Sequence, residues 1–230
     1  AGPVHPAPQG VGLFARGGSM MAGEILKATF ETLYMILVSG FLATLFGIPL
    51  GVALFLLSRS KKWRRLYIVF DLLVNVFRSI PFIILVLLLI PVTKNVMGTI
   101  IGPNAAIFNL TIAAIPFMAR LSENSFNGVP RGIIDSSDSM GLNRWQFIFR
   151  VLIPETLPEQ IGNITVLLIN LVTYTAIAGA VGAGGLGQLA INYGYYRFQW
   201  DVVLYAVIVL VSISQVLQFT GGRLSRLLRR

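Results

Sequence analysis

The chain has 230 residues, of which 55% are hydrophobic and 12% charged, with a net charge of +9 and a mean hydropathy of +0.77. Soluble domains carry about 25% charged residues, so the deficit excludes an ordinary water-soluble fold and implies several passes through a membrane. There is no cysteine, which excludes disulfides, zinc thiolates and a thiol nucleophile.

Residues 1–19 are rich in Pro and Gly and hold His5, the only histidine. They read as a tag remnant or a disordered tail and are set aside; residues 20–230 read as a single transmembrane domain. Thr32 to Ser58 contains no charge. At ~1.5 Å per residue it spans about 40 Å, more than a hydrocarbon core of about 30 Å. The excess predicts tilt, an end outside the core, or a bend near Gly47-Ile48-Pro49. Glu24, Lys27 and Glu31 mark its wet start. Arg59, Lys61, Lys62, Arg64 and Arg65 then form a basic cluster, with Trp63 and Tyr67 at the interface. Leu66 to Ile90 is the second expected crossing. Asp71, Asn75, Arg78 and Ser79 fall mostly on one helical face, and polar groups in a membrane segment are costly unless they meet a partner or a cavity. Two readings stay open: Asp71 and Arg78 pair at the cytoplasmic interface, or this face is a polar stripe beside a translocation route. Pro81 is expected to kink the helix next to Arg78, and Pro91 to end it.

Ala105 to Ala119 reads as a shorter third crossing, extendable by Val96 to Gly102, after which Arg120 and Glu123 return the chain to water. The interval from Arg120 to Gln160 is the long polar stretch of the second half. Within it Asp135-Ser136-Ser137-Asp138-Ser139-Met140-Gly141 offers small residues that allow close packing, and Gly141 breaks the helix. A second, amphipathic turn follows with Arg144, Trp145, Phe147, Ile148, Phe149 and Arg150. Pro154 and Pro158 are expected to close the segment. A helix–break–helix of this kind on the wet side of a membrane protein has the character of a docking element.

Ile161 to Val181 is the fourth expected crossing. Its uncharged polar groups mostly suit packing between helices; Asn170 and Tyr174, four residues apart on one face, are the candidates to approach a substrate route. Gly182-x-Gly184-x-x-Gly187 formally fits a dinucleotide fingerprint, but it follows a membrane helix rather than a strand, and Asp201 is the only acid downstream. Nucleotide binding is therefore excluded, and the glycines read as a close backbone approach or a tight re-entrant bend. Tyr193, Tyr195, Tyr196, Phe198 and Trp200 form an aromatic belt, Val202 to Phe219 is the fifth crossing, and Arg223, Arg226, Arg229 and Arg230 close the chain.

The fold class is thus all-α membrane with about five transmembrane helices, which puts the termini on opposite sides. The first loop, the interval Arg120–Arg150 and the C-terminus share a side and hold thirteen basic residues, against four (Arg16, Lys27, Lys94, Arg197) on the other. The positive-inside rule makes the first side cytoplasmic, with the N-terminus outside and the C-terminus inside. The basic balance needs no nucleic acid, and the docking element faces the compartment that holds ATP.

The spacing from Asp135-Ser136-Ser137 through Gly141 to Val151-x-Ile153-Pro154 resembles the coupling loop of ABC importer permeases, whose usual form begins Glu-Ala-Ala. Arg78-Ser79-Ile80-Pro81-Phe82-Ile83-Ile84 and Gly179-Ala180-Val181-Gly182-Ala183-Gly184-Gly185-Leu186-Gly187 resemble the methionine-uptake branch of that family. The resemblance covers roughly Glu24 to the C-terminus. It implies that Asp135, Ser136, Ser137, Asp138, Met140, Gly141 and Pro154 form the element gripped by two cytoplasmic ATPase subunits, which bind the ATP and Mg. It also implies an external substrate-binding protein or lipoprotein, a bacterial inner-membrane location, and methionine (L, D or both) as substrate.

The residues themselves agree with a passive partner. No Gly-x-x-x-x-Gly-Lys-Ser/Thr cradle occurs, so the chain is not expected to hydrolyse ATP or bind a cofactor of its own. No His, Cys or carboxylate cluster suggests an enzyme or a metal site, and a secondary transporter would show intramembrane acids and an internal repeat. Five helices are few to enclose a path, which predicts a homodimer in lipid with the path on its two-fold axis; Asn75, Arg78, Ser79, Asn170 and Tyr174 are the candidates to line it. The alternatives are a permease for another amino acid or small metabolite, and a non-conducting assembly subunit.

Overall fold

The structure, a computed structural model, describes residues 10–228, with side chains from Met21 onward. Among them the regular structure is entirely helical. Four of the described helices are long and apolar enough to cross a membrane, and one sharply bent pair passes the same test only when its two helices are taken together, giving four to five spans.

Helix α1 (Gly10–Arg59) continues through Gly47-Ile48-Pro49 without a break in its helical backbone, carrying Pro49 inside it. Glycines here serve packing instead. A Cβ on Gly47 would stand 2.7 Å from Met118 Cβ, and one on Gly51 would stand 2.8 Å from the Ala119 carbonyl oxygen. Their absence lets α1 and α4 approach backbone to backbone, which matters in lipid, where association rests on close packing more than on hydrophobic transfer. Of the expected tail, residues 1–9 lie outside the described residues, and 10–19 continue the helical backbone of α1, as the helix formers in Leu13-Phe14-Ala15-Arg16 permit.

The second expected crossing is two helices, α2 (Arg64–Ser79) and α3 (Phe82–Met97), meeting at 109°. Ile80 between them is extended with ψ 124°, the conformation forced on a residue before proline. Pro91 does not end α3, since an isolated proline removes only one ladder bond and is tolerated in membrane helices. Gly98, at φ 72°, ends it. Val96 and Met97 therefore belong to the last turn of α3, and Gly98 to Gly102 to the loop after it, so this stretch does not extend the third crossing. That crossing, α4 (Pro103–Asn127), is longer than its apolar run because Arg120 and Glu123 stay in the helix.

The polar interval folds as α5 (Arg131–Ser139), α6 (Arg144–Phe147) and a π-helical turn, Ile148–Leu152, that leads directly into α7 (Ile153–Ala178). Pro154 and Pro158 do not close the segment. Pro154 lies in the first turn of α7, directly after the π turn, so the helix of the fourth crossing starts well before Ile161. A short 3₁₀ turn, Gly179–Val181, leads to the short helix α8 (Gly185–Ala190), the π turn Ile191–Tyr195 and α9 (Trp200–Leu228). The main core joins α1, α3, α4 and α7 through Met35, Ile36, Val86, Leu110, Met118 and Leu171.

The glycine cluster is a clasp. Gly182, Gly184 and Gly185 all have positive φ, and a Cβ on Gly179 would overlap the Gln188 nitrogen. The loop turns back until the N–H groups of Gly185 and Leu186 donate to Glu31 Oε2 (2.8 Å) and Thr32 Oγ1 (2.9 Å) of α1. The carboxylate thus sits at the start of α8, where orphan N–H groups and the helix dipole favour a negative charge. Nearby, the Tyr193 phenol donates to the Glu24 carboxylate, which holds it above the ordinary tyrosine pKa.

Candidate functional site

The helix–break–helix lies at the Arg59 end of α1. Its inner face is apolar: Ile133, Ile134, Phe147 and Leu152 pack on Phe55 of α1 and Phe126 of α4. Ser136, Ser137 and Ser139 turn their hydroxyls back onto carbonyls one turn earlier in α5, which hides small polar groups and leaves a thin helix. Gly141, at φ 66°, ends it: its N–H donates to the Asp138 carbonyl (3.0 Å) and that of Leu142 to the Ser137 carbonyl (3.3 Å). This pair of bonds is the Schellman arrangement, which needs a left-handed residue where Gly141 stands.

Asn143 immediately starts the next helix. Its side chain accepts from the Gln146 N–H (2.8 Å) while the Gln146 side chain accepts from the Asn143 N–H (2.9 Å), a reciprocal cap that fixes the angle between the two helices. Outward face Asp135, Ser136, Asp138, Met140 and Gly141, all exposed, whereas Ser137 is buried against the bundle. Trp145 and Phe149 stack at 6.1 Å, 70% and 62% exposed. Pro154 is exposed in the first turn of α7. Chemically this is a bent knob with an apolar root and a mixed acidic and aromatic outer face, of the kind that can dock against another protein.

Where α2 meets α3, a partly open cavity of about 170 Å³ is lined by Phe77, Arg78, Phe82, Phe117, Asn170 and Tyr174, among others, with Phe77 and Arg78 exposed at its edge. The rings of Phe82 and Tyr174 stack at 4.6 Å with 4° between planes, and the Arg78 guanidinium lies 5.9 Å from the centre of the Phe117 ring. A cationic head beside several aromatic faces and an amide suits a small zwitterion with an apolar side chain. Of the five route candidates, Arg78, Asn170 and Tyr174 are brought together here. Asn75 and Ser79 are not: Asn75 Oδ1 accepts from Arg120 Nη2 (3.0 Å), and Ser79 Oγ donates to the Asn75 carbonyl (2.8 Å).

Asp71 pairs with Arg120 and not with Arg78. Arg120 does not return the chain to water; its Nη2 meets Asp71 Oδ1 at 2.5 Å and its Nη1 meets Glu123 Oε2 at 2.6 Å, with Glu123 buried. Moving Arg120 out of the loop leaves the asymmetry of basic residues intact. Sequence reasoning missed this cluster because the apolar run of α4 stops before Arg120, yet the signal was present: an acid such as Asp71 in a membrane segment demands a nearby base. The Asn143–Gln146 cap was legible as an Asn-x-x-Gln pattern before an apolar run. Glu31 as the cap of α8 had no local signal.

Residues 43–230 match the family described as binding-protein-dependent transport system inner membrane component. The chain belongs to this family. Among inner-membrane components, it is 42% identical over 204 residues to the probable D-methionine transport system permease protein MetI of Vibrio cholerae serotype O1, covering 88% of this chain and 91% of that one. It is 44% identical over 207 residues to the methionine import system permease protein MetP of Bacillus subtilis, covering 89% and 93%. A solved structure described as an inward-facing conformation of the MetNI methionine ABC transporter superposes with a TM-score of 0.89 at 42% identity, over 91% of this chain and 98% of that one. A more distant amino acid ABC transporter, 19% identical with a TM-score of 0.63, shares the fold.

Proposed function

We propose that this chain is the permease subunit of an ATP-binding-cassette importer that carries methionine across the bacterial inner membrane. The observation that carries the reading is the near end-to-end match, at 42–44% identity, to permeases named for methionine transport. The exposed knob at Asp135–Gly141 supports it, because it gives such a permease a handle for an external motor.

In this reading two copies form the path between them, and two ATPase subunits, which hold the ATP and Mg, each receive one knob in a groove. An external binding protein or lipoprotein delivers the ligand. ATP-driven approach of the ATPases rocks the knobs and reorients the helices as rigid bodies. Asp135, Ser136, Asp138, Met140 and Gly141, with exposed Pro154 beside them, meet the ATPase, while buried Ser137 faces the bundle. Arg78, Asn170 and Tyr174 border the route, with the guanidinium placed to meet a carboxylate and the stacked rings to meet a thioether. With the knob cytoplasmic, the N-terminus lies outside and the C-terminus inside.

The test is uptake of labelled methionine by the permease reconstituted with its ATPase and binding protein, with unlabelled L- and D-methionine as competitors. ATP-dependent uptake blocked by either competitor is expected. Uptake of another amino acid that neither competes away would reject methionine and favour a different substrate; no ATP-dependent uptake of any amino acid would favour a non-conducting subunit.

A further inference from the structure

Helix α2 is held to the bundle by little apolar surface. Val74 is its one buried residue, entering a small cluster with Leu54 of α1 and Ala119 of α4, beside Tyr67. The rest of the attachment at this level is ionic. The Arg120 guanidinium on α4 bonds Asp71 and Asn75 on α2 through Nη2, and Glu123 on its own helix through Nη1. Asn75 Nδ2 closes the set by donating to Asp71 Oδ2 (3.2 Å). Glu123 is 2% exposed, so its charge cannot be left without its partner except at high cost. A planar fork with several donors is needed to reach all three acceptors at once.

This clamp sits between the two functional regions. Toward the knob, six residues of α4, about 9 Å of helix, lead from Arg120 to Phe126, which packs against the apolar root of α5. Toward the cavity, Arg78 lies two turns beyond Asp71 on the same face of α2. On the far side of α4, Gly51 of α1 leaves no room at Ser122 and Glu123, so this stretch of α4 has no slack into which a push could dissipate.

We propose that Arg120 is a positioning residue for transport: it fastens α2, and with it Arg78 in the cavity wall, to the part of α4 that leads into the knob, so that the two move as one body. This rests on the permease reading above. Docking energy applied at α5 reaches the cavity through the guanidinium instead of being lost in independent motion of a loosely packed helix.

The chain has no cysteine, so spin labels at Leu73→Cys on α2 and Asn124→Cys on α4, both exposed positions, report the link directly. With Arg120 present, the distance distribution is expected to be narrow and unchanged by nucleotide; in Arg120→Ala and in Asp71→Asn it broadens. In the reconstituted complex, methionine taken up per ATP hydrolysed falls roughly tenfold in either variant, while nucleotide hydrolysis without substrate persists. Arg120→Lys, which keeps the charge but not the fork, falls with them. Should Arg120→Ala fail to assemble, Asp71→Asn, nearly isosteric and leaving Arg120 on Glu123, carries the test. Label distances that stay narrow in both variants, or wild-type uptake per ATP, overturn the proposal. A wild-type complex that moves no methionine rejects the functional reading alone, and the label distances still decide the clamp.

Discussion

Gly141 offers the sharpest test of how the knob is built. Its φ of 66° lies in the left-handed region, and a Cβ added there would meet nothing within 4 Å. Any loss on substitution therefore comes from backbone handedness and not from a clash within the chain. An L-residue forced into this conformation costs about 1–2 kcal/mol, a β-branched one more, and asparagine least. Opposed to a cap held by the bonds from Gly141 and Leu142, 1–2 kcal/mol lowers the ratio of formed to unformed cap by roughly 5- to 30-fold. We expect methionine uptake and substrate-stimulated ATP hydrolysis to fall in the order wild type, Gly141→Asn, Gly141→Ala, Gly141→Val. The asparagine variant stands above the alanine variant although its side chain is larger. If bulk at the docking face were the cause, alanine would outperform asparagine. That inverted order, or wild-type transport by Gly141→Val, would refute the reasoning.

Three further outcomes follow from the geometry. Gly179→Ala drives a Cβ into the Gln188 nitrogen and the Gly187 carbonyl carbon; overpacking against backbone costs about 1–3 kcal/mol or more, and a lowered thermal midpoint in detergent is expected, an unchanged one counting against the clasp. Asn143→Ala removes one half of the reciprocal cap, at about 1 kcal/mol, and should raise amide exchange across Arg144–Phe147 while leaving α7 protected. Arg78→Ala withdraws the guanidinium from the cavity wall. With a charged hydrogen bond worth about 1.5–3 kcal/mol, methionine uptake should drop about tenfold or further with ATP hydrolysis retained; equal uptake would remove Arg78 from the route.

Most of the fold was legible because membrane burial leaves a one-dimensional trace. Charge-free runs gave the spans, the Arg59–Arg65 cluster gave a boundary, and Pro81 gave the break between α2 and α3. Gly141 could be read as a stop since few residues other than glycine sit comfortably at positive φ. What went astray did so where a local rule met a tertiary exception. Charged residues signal water only when unpaired, and Arg120 with Asp71 and Glu123 are paired. Prolines commonly stop helices, yet Pro154 is passed directly after a π turn at the head of α7 and Pro91 is carried inside α3. Gly47 looked like flexibility and, with Gly51, is a contact point with α4, a distinction that depends on the neighbouring helix and is not written in the segment itself. The cavity was half legible: spacing paired Asn170 with Tyr174, but whether Asn75 turns toward them or toward Arg120 depends on how α2 lies across α4.

The clasp between Glu31 and Gly185 has a mechanical consequence. Glu31 and Phe55 are 24 residues apart on one continuous helix, about 36 Å, so the stapled end and the knob stand at opposite poles of the molecule. With α1, α7 and α8 stitched together at the first pole, displacement at the second must grow with distance from it, as in a pair of tongs held at the rivet. A small slide at the ATPase surface is then felt least beside the clasp, and Glu31→Gln, by loosening the rivet, should waste the stroke without touching either the handle or the jaws.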